Sequence, residues 1–367
     1  MDDESWWAMD YRDELIVFLS SLEFENENIK STYDLLFEAE DFFKIKDDEV
    51  RELLKSKSDK VCERILKYRS YDRVQKILEI CYKKGIKIST INSDDYPESL
   101  RTIENSPMIL YKIGDLDPIE RGVAIVGSRK PSLYGKNTVA TIVRGIKDLN
   151  PTIISGMAYG IDAQAHLQAL DSDLKTVCVL GCGVDFIYPK TNRQIYQRVI
   201  ESGGLIVSEY PPDSKPRPYR FPLRNRIISG LSHAVIVVEA KEKSGSLITA
   251  TIAATQGKEV FAVPGPINSP LSKGTNKLIR DGATIFTDVE DLREVLPFAE
   301  DKKEVVQINL DMEELLIYDL IKRGTHNVDS LLIESQYEMN KLNEVLTMLE
   351  LKNLIFSSSY NEYEVTN

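Results

Sequence analysis

Short, mostly apolar runs dominate the middle of the chain, and each ends in a loop rich in glycine, serine or proline. Val123–Val126 stops at Gly127-Ser128-Arg129. Thr152–Ser155, Thr176–Leu180, Leu205–Ser208, Ala234–Glu239 and Val260–Val263 repeat the plan. Runs of this length predict strands buried on both faces, as in a parallel sheet. Helix candidates follow most of them: Gly135–Leu149, Ile161–Leu170, Arg193–Ser202, Leu223–Gly230, Ser246–Gln256 and Asn276–Asp281. This alternation predicts an α/β domain, doubly wound about a mostly parallel Rossmann-like sheet. In such a sheet the loops after the strands emerge on one edge, where ligands bind at a topological switch point.

The flanks have a different rhythm. Leu15, Ile16, Leu19 and Leu22, then Tyr33, Leu36 and Phe37, then Val74, Ile77, Leu78 and Cys81 recur at helical spacing. They predict a small helical bundle over residues 1–92. Lys83-Lys84-Gly85 is a helix stop, and Ile86–Ile91 alternates like an edge strand. Met108–Ile113 is a further strand candidate, and the α/β pattern occupies residues 93–298. Ala299–Val305 reads as a charged linker. Residues 306–367 then carry three helical stripes and two short β runs, Leu354–Ser357 and Glu362–Val365. That plan predicts a winged-helix-like domain. Its candidate recognition helix has Glu334, Glu338 and Glu344 against Lys341, which favours a packing or partner-protein role over reading a DNA groove.

With 42% hydrophobic and 28% charged residues, the composition is that of a soluble globular protein. No apolar stretch approaches the roughly 20 residues that span a bilayer, and the acidic start MDDESWW does not resemble a signal peptide. A cytoplasmic protein is therefore expected. Cys62, Cys81, Cys178 and Cys182 lack metal-ligand spacing and read as buried thiols. Only three histidines are present, which argues against a structural zinc site. The net charge of −12 is unevenly spread. Residues 1–115 hold 18 Lys/Arg against 26 Asp/Glu, residues 299–367 hold 6 against 14, and residues 116–298 hold 22 against 18. A polyanion site confined to the middle is consistent with that division.

The obvious rival is a dinucleotide fold, which needs G-x-G-x-x-G at the first turn. Arg129 stands where the second glycine should be. At Gly181-Cys182-Gly183, Phe186 takes the third position. There is no G-x-x-x-x-G-K-[ST] either. What remains are anion cradles such as Ser155-Gly156 and Ser244-Gly245-Ser246, the latter at a helix start. Arg217, Arg220, Arg224 and Arg226 crowd into ten residues with Tyr219 and Phe221. Such a mixture suits phosphates and stacked bases, and equally suits a helix with solvated charges. Asp162, His166, Asp185 and Glu209 lie near the loops without forming a catalytic motif.

The motifs IVGSR (Ile125–Arg129), SGMAYGIDAQAH (Ser155–His166), LGCGVDFIYP (Leu180–Pro189), SEYPP (Ser208–Pro212) and FPLRNRIISGLS (Phe221–Ser232) follow in order. VVEAKEKSGSLITA (Val237–Ala250), VFAVPG (Val260–Gly265) and GTNKLIRDGA (Gly274–Ala283) complete them. Together they resemble the DprA/Smf family, the bacterial DNA processing protein A. The resemblance implies a dimeric, non-enzymatic single-stranded DNA-binding protein that needs no cofactor, protects strands and helps load the recombinase RecA during transformation. It implies that Ser128 and Arg129 hold phosphate, that Gly183 and Phe186 lie on the DNA pocket, and that Arg226, Ser244 and Gly245 line its rim. Lys130, Gly156, Arg224, Asn225 and Lys243 complete the candidate set. Tyr159 departs from the arginine that relatives carry there. The alternative is a nucleotide sensor or nucleotide-processing enzyme of the lysine-decarboxylase-like class. Such proteins carry P-G-G-x-G-T at the late loop, where this chain has Pro264-Gly-Pro-Ile-Asn.

Overall fold

A computed structural model describes residues 9–37, 41–114, 119–296, 311–352, 354–359 and 361–365. The chain divides into two units, Met1–Phe298 and Ala299–Asn367. The expected linker Ala299–Val305 lies outside the described residues.

The first unit is built on one nine-stranded sheet. Its strands are β1 (Lys87–Thr90), β2 (Ile109–Ile113), β3 (Gly122–Val126), β4 (Thr152–Ser155), β5 (Thr176–Val179), β6 (Leu205–Ser208), β7 (Ala234–Val237), β8 (Glu259–Ala262) and β9 (Thr284–Ile285). They lie in the order β1-β2-β6-β5-β4-β3-β7-β8-β9. From β6 to β9 every neighbouring pair is parallel, and β2 runs antiparallel to both β6 and β1. The sheet is therefore mostly parallel, as the unbroken apolar runs predict.

Successive side chains of a strand face opposite ways, and β3 shows the double winding directly. Val123 and Ile125 share a core with Val139, Ile142 and Ala165, whereas Ala124 and Val126 share one with Ile227, Ile228 and Ala250. The first group comes from α7 (Leu133–Gly145) and α8 (Ile161–Asp171), the second from α10 (Arg220–Gly230) and α11 (Gly245–Thr255). Helix α9 (Arg193–Glu201) precedes β6, α12 (Lys273–Arg280) precedes β9, and α13 (Glu290–Arg293) follows it. The helix expected from Gly135 starts at Leu133, because the Ser132 hydroxyl caps it by accepting from the Gly135 N–H at 3.2 Å.

Upstream lie α1 (Tyr11–Ser21), α2 (Asn26–Leu36), α3 (Asp47–Leu53), α4 (Asp59–Tyr68) and α5 (Tyr71–Lys84), with the single turn α6 (Glu98–Arg101) between β1 and β2. A separate domain over residues 1–92 is not what forms. Leu15, Ile16, Phe18 and Leu19 share a core with Ile109 and Tyr111 of β2 and with Cys178 and Ile206. The buried Tyr111 hydroxyl meets Ser20 Oγ at 2.8 Å. A boundary at residue 92 would also strip β1 from the sheet. The apolar stripes specify helices, while which surface those stripes cover is a tertiary property.

The second unit contains α14 (Met312–Lys322), α15 (Val328–Ser335), α16 (Met339–Leu351) and the antiparallel pair β10 (Ile355–Ser359) and β11 (Glu362–Val365). Its core includes Ile317, Ile321, Leu331, Leu342, Leu346 and Ile355. Asp311 and Glu314 close a reciprocal capping box at the start of α14.

Candidate nucleic-acid interface

Strand order reverses between β3 and β7, so the loops that follow these strands part and leave a crevice. The cleft there encloses about 530 Å³. Gly127, Ser128, Arg129 and Lys130 line one wall, Lys241, Lys243, Ser244 and Gly245 the opposite wall, and Asp162, Phe221, Arg224 and Asn225 the rest.

The first wall is fastened from below. Ile161 N–H donates to the Ser128 carbonyl at 3.1 Å. Gly160, at φ +80°, comes so close to the same carbonyl that any Cβ would overlap it. Ser128 Oγ accepts from the Lys130 N–H at 3.1 Å, leaving its own proton free to donate. On the second wall Ser244 caps α11, and Gly245 has open space beside it. The N-terminus of α11, with the positive end of its helix dipole, lies on this wall. Arg129, Lys130, Lys241 and Lys243 are exposed. Among the described residues none of the four forms an ion pair; the nearby buried carboxylates of Asp162 and Glu239 accept from the Ala158 N–H and from Ser132.

Glu239 decides what this cleft is not. In a dinucleotide fold the first βα turn holds pyrophosphate at the N-terminus of its helix. Here Glu239 is 3% exposed, and its carboxylate accepts from both the N–H and the hydroxyl of Ser132, at the start of α7. Gly135 lets it approach, since any side chain there would run into the carboxylate. The protein's own anion fills that position.

The arginine-rich stretch is resolved against the phosphate reading. Arg226 is a candidate for the rim, yet it points away from the cleft and pairs with Glu209 through two bonds of 2.9 and 2.6 Å. It also donates to the Asn105 carbonyl at 2.7 Å. Arg220 is 1% exposed, stacks over Tyr210 at 4.2 Å and pairs with Glu23, which also takes Arg217. Arg224 reaches the cleft from below but is buried. It donates to the carbonyls of Gly156, at 2.7 Å, and Val179, and to Asn225 Oδ1 at 3.0 Å. Burial lowers its affinity for a proton, and Asp162 opposes that shift. Gly156 accordingly serves Arg224 rather than forming an open cradle, since any Cβ would overlap the guanidinium.

Gly183 and Phe186 are not in the switch-point cleft. They belong to the loop after β5, where Phe186 lines a second hollow of about 370 Å³ with Ile187, Lys190 and Arg193. Gly183 lies against the Pro211 carbonyl and the Asp185 carboxylate, with no room for a side chain. Lys241 also lines the cleft. In the run VVEAKEKSGS the neighbouring Glu242 gives it the look of ordinary surface charge.

Burial shifts the proton affinity of several groups near these loops. His166 Nε2 accepts from the Met157 N–H at 3.3 Å, so Nδ1 holds the proton and donates to Thr176 Oγ1 at 2.7 Å. Burial pulls the imidazole down to about 3. Asp162 accepts from the Ala158 N–H, and burial raises its carboxyl above the usual range while Arg224 opposes that. All four cysteines are buried and unpaired, with Cys81 and Cys182 pushed up to about 12 by burial.

A doubly wound sheet with exposed cations and serine hydroxyls at its switch point, and a carboxylate of its own at the head of α7, has the fold of the Rossmann-like class. Residues 87–297 match the family described as DNA recombination-mediator protein A. The chain belongs to that family, the one its motifs resemble. It is 41% identical over 229 residues to the DNA processing protein DprA of Bacillus subtilis, covering 62% of this chain and 77% of that one. It is 43% identical over 204 residues to the DprA of Streptococcus pneumoniae, covering 55% and 72%. The X-ray structure of the Streptococcus pneumoniae protein superposes with a TM-score of 0.66 at 32% identity, over 79% of this chain and 100% of that one. DNA processing protein A from Helicobacter pylori, whose structure is described for its single-stranded DNA binding mode, gives a TM-score of 0.52 at 33% identity over 57% and 96%.

Proposed function

We propose that this protein binds single-stranded DNA along the carboxyl edge of its sheet, with phosphates held in the cleft between β3 and β7. One observation carries the reading. Four exposed cations, Arg129, Lys130, Lys241 and Lys243, face one crevice without an ion pair among the described residues. Unpaired cations gathered beside a helix N-terminus suit a chain of phosphates. Phe221 on the cleft wall stacks with the exposed Tyr188 at 5.6 Å, an aromatic platform against which bases can lie. The Helicobacter pylori relative's described single-strand binding supports the same substrate.

Family membership supports a dimer that protects strands and delivers them to the RecA recombinase in the cytoplasm, by binding alone and without a reaction of its own. In this reading the second unit is a winged helix whose acidic surface serves a protein partner. The nucleotide-sensor alternative is disfavoured by Glu239, which occupies the position a nucleotide phosphate would need.

The test is a titration of labelled oligo-dT, with duplex of equal length as control, over a range of salt. Four cation–phosphate contacts predict a slope of log K against log salt of about −3 for the single strand. A slope near zero, or preference for duplex, would sink the proposal.

A further inference from the structure

Residues 1–58 hold 7 Lys/Arg against 17 Asp/Glu, but residues 59–84, which form α4 and α5, hold 8 against 4. The one basic stretch of an acidic flank lies where the chain meets the sheet edge. Arg64, Tyr68, Arg73 and Lys76 line a hollow of about 450 Å³ with Pro211, Pro212 and Ser214 of the loop after β6.

The acids at this hollow are already spent. Glu23 is held by Arg217 and Arg220, and Asp213 by Lys84 at 2.9 Å. Lys84 also binds Asp185 of the β5 loop, so one lysine ties α5 to two loops of the ligand edge. Arg73 is anchored to Ser21 through its Nε and lies over the Tyr68 ring at 5.1 Å. Arg64 lies over Phe24 at 5.4 Å. Among the described residues neither Arg64 nor Lys76 has an ion-pair partner.

The loop after β6 emerges on the same edge as the loops after β3 and β7. Four strand spacings separate β7 from β6, about 19 Å at the usual distance between strands. The β5 loop, with Phe186, Lys190 and Arg193, lies between. A strand leaving the switch-point cleft toward β6 would pass that loop and arrive at α4 and α5.

We infer that the hollow between α4, α5 and the Pro211–Ser214 loop is a second phosphate-binding surface for the same DNA strand, engaged only when the strand is long enough to cross the sheet edge. This rests on the proposed single-strand binding. It makes the helical layer part of the DNA track, and affinity should rise with strand length beyond what the cleft alone can hold.

The experiment compares wild type with the double variant Arg64→Gln/Lys76→Gln, which preserves side-chain bulk over Phe24. The probes are oligo-dT of about six nucleotides, enough for one site, and of about thirty. Arg129→Ala serves as the cleft control. Wild type should bind the long strand more tightly per site than the short one. The double variant should match wild type on the short strand and lose about tenfold on the long strand, with a salt slope shallower by about 1.4. Arg129→Ala should weaken both. Lys76→Glu alone should reproduce the length-selective loss, so a folding defect in the double variant does not hide the answer. Long-strand binding unchanged in both variants overturns the second surface and leaves the cleft reading intact, and would leave the patch to an acidic protein instead. Wild type that binds neither length overturns both.

Discussion

Two arginines that look alike in the sequence differ in what removing them does. Arg129 is exposed and has no ion pair among the described residues, so Arg129→Ala should weaken single-strand binding by about ten- to a hundredfold while the melting temperature barely moves. Arg129→Lys should recover part of the loss, because an ammonium cannot make two parallel bonds to a phosphate. Arg226 is buried against Glu209. Arg226→Ala strands that carboxylate and should lower stability by about 3–5 kcal/mol. DNA affinity should then fall only in step with the folded fraction, checked by denaturant unfolding and titration of the same preparation. His166 has a pH signature. Its folded value of about 3 lies below the ordinary 6.5, so the unfolded chain binds the extra proton between those values. Its contribution to stability is therefore whole above pH 6.5 and declines as pH falls toward 3, with a limiting slope of about 1.4 kcal/mol per pH unit. Asp162 shifts in the direction that opposes this trend. Urea midpoints of wild type and His166→Gln at several pH values isolate the histidine: the difference between them should shrink as pH falls.

Helix α10 shows how an element can be legible while its role is not. Its helix from Leu223 to Gly230, the β strands beside it and the switch-point geometry follow from local pattern and from the handedness rules of α/β sheets, whereas its first turn, from Arg220, was not expected. The targets of its arginines do not follow either, because Glu23, Glu209 and Gly156 are far away in sequence and nothing local marks them as partners. A charged run reads the same whether it faces solvent or is buried against carboxylates and carbonyls. Ser128 and Arg129 follow β3 almost directly, so their place at the sheet edge comes with the strand, while Ser244 and Gly245 stand at the start of the helix after β7. Gly156 joins these scales. Gly156→Ala would force its Cβ into the Arg224 guanidinium, which holds the carbonyls at the ends of β4 and β5. The expected cost is about 1–3 kcal/mol. Single-strand affinity should fall as well, since Arg224 and Asn225 form part of the cleft wall. A variant with unchanged stability would show that the guanidinium can move aside.

At the scale of the whole molecule, the helical layer and the sheet share one core. A fragment of residues 1–298 should fold and keep its single-strand affinity, whereas residues 96–298 alone would lose β1 and expose Ile109 and Tyr111 to water. The shorter fragment should melt well below the longer one, or fail to stay in solution. Equal melting of the two would mean that the shared core contributes little. Glu239 has a broader consequence. A cell is crowded with free nucleotides, and a Rossmann-like fold is their customary host. By keeping its own carboxylate at the head of α7, this protein denies that place to a nucleotide's phosphate. What the cleft leaves open is a set of separate charges, Arg129, Lys130, Lys241 and Lys243, of which a lone nucleotide can satisfy one or two and a polymer all. On the proposed strand binding, chain length itself becomes the recognised feature, and the metabolite pool should go unread.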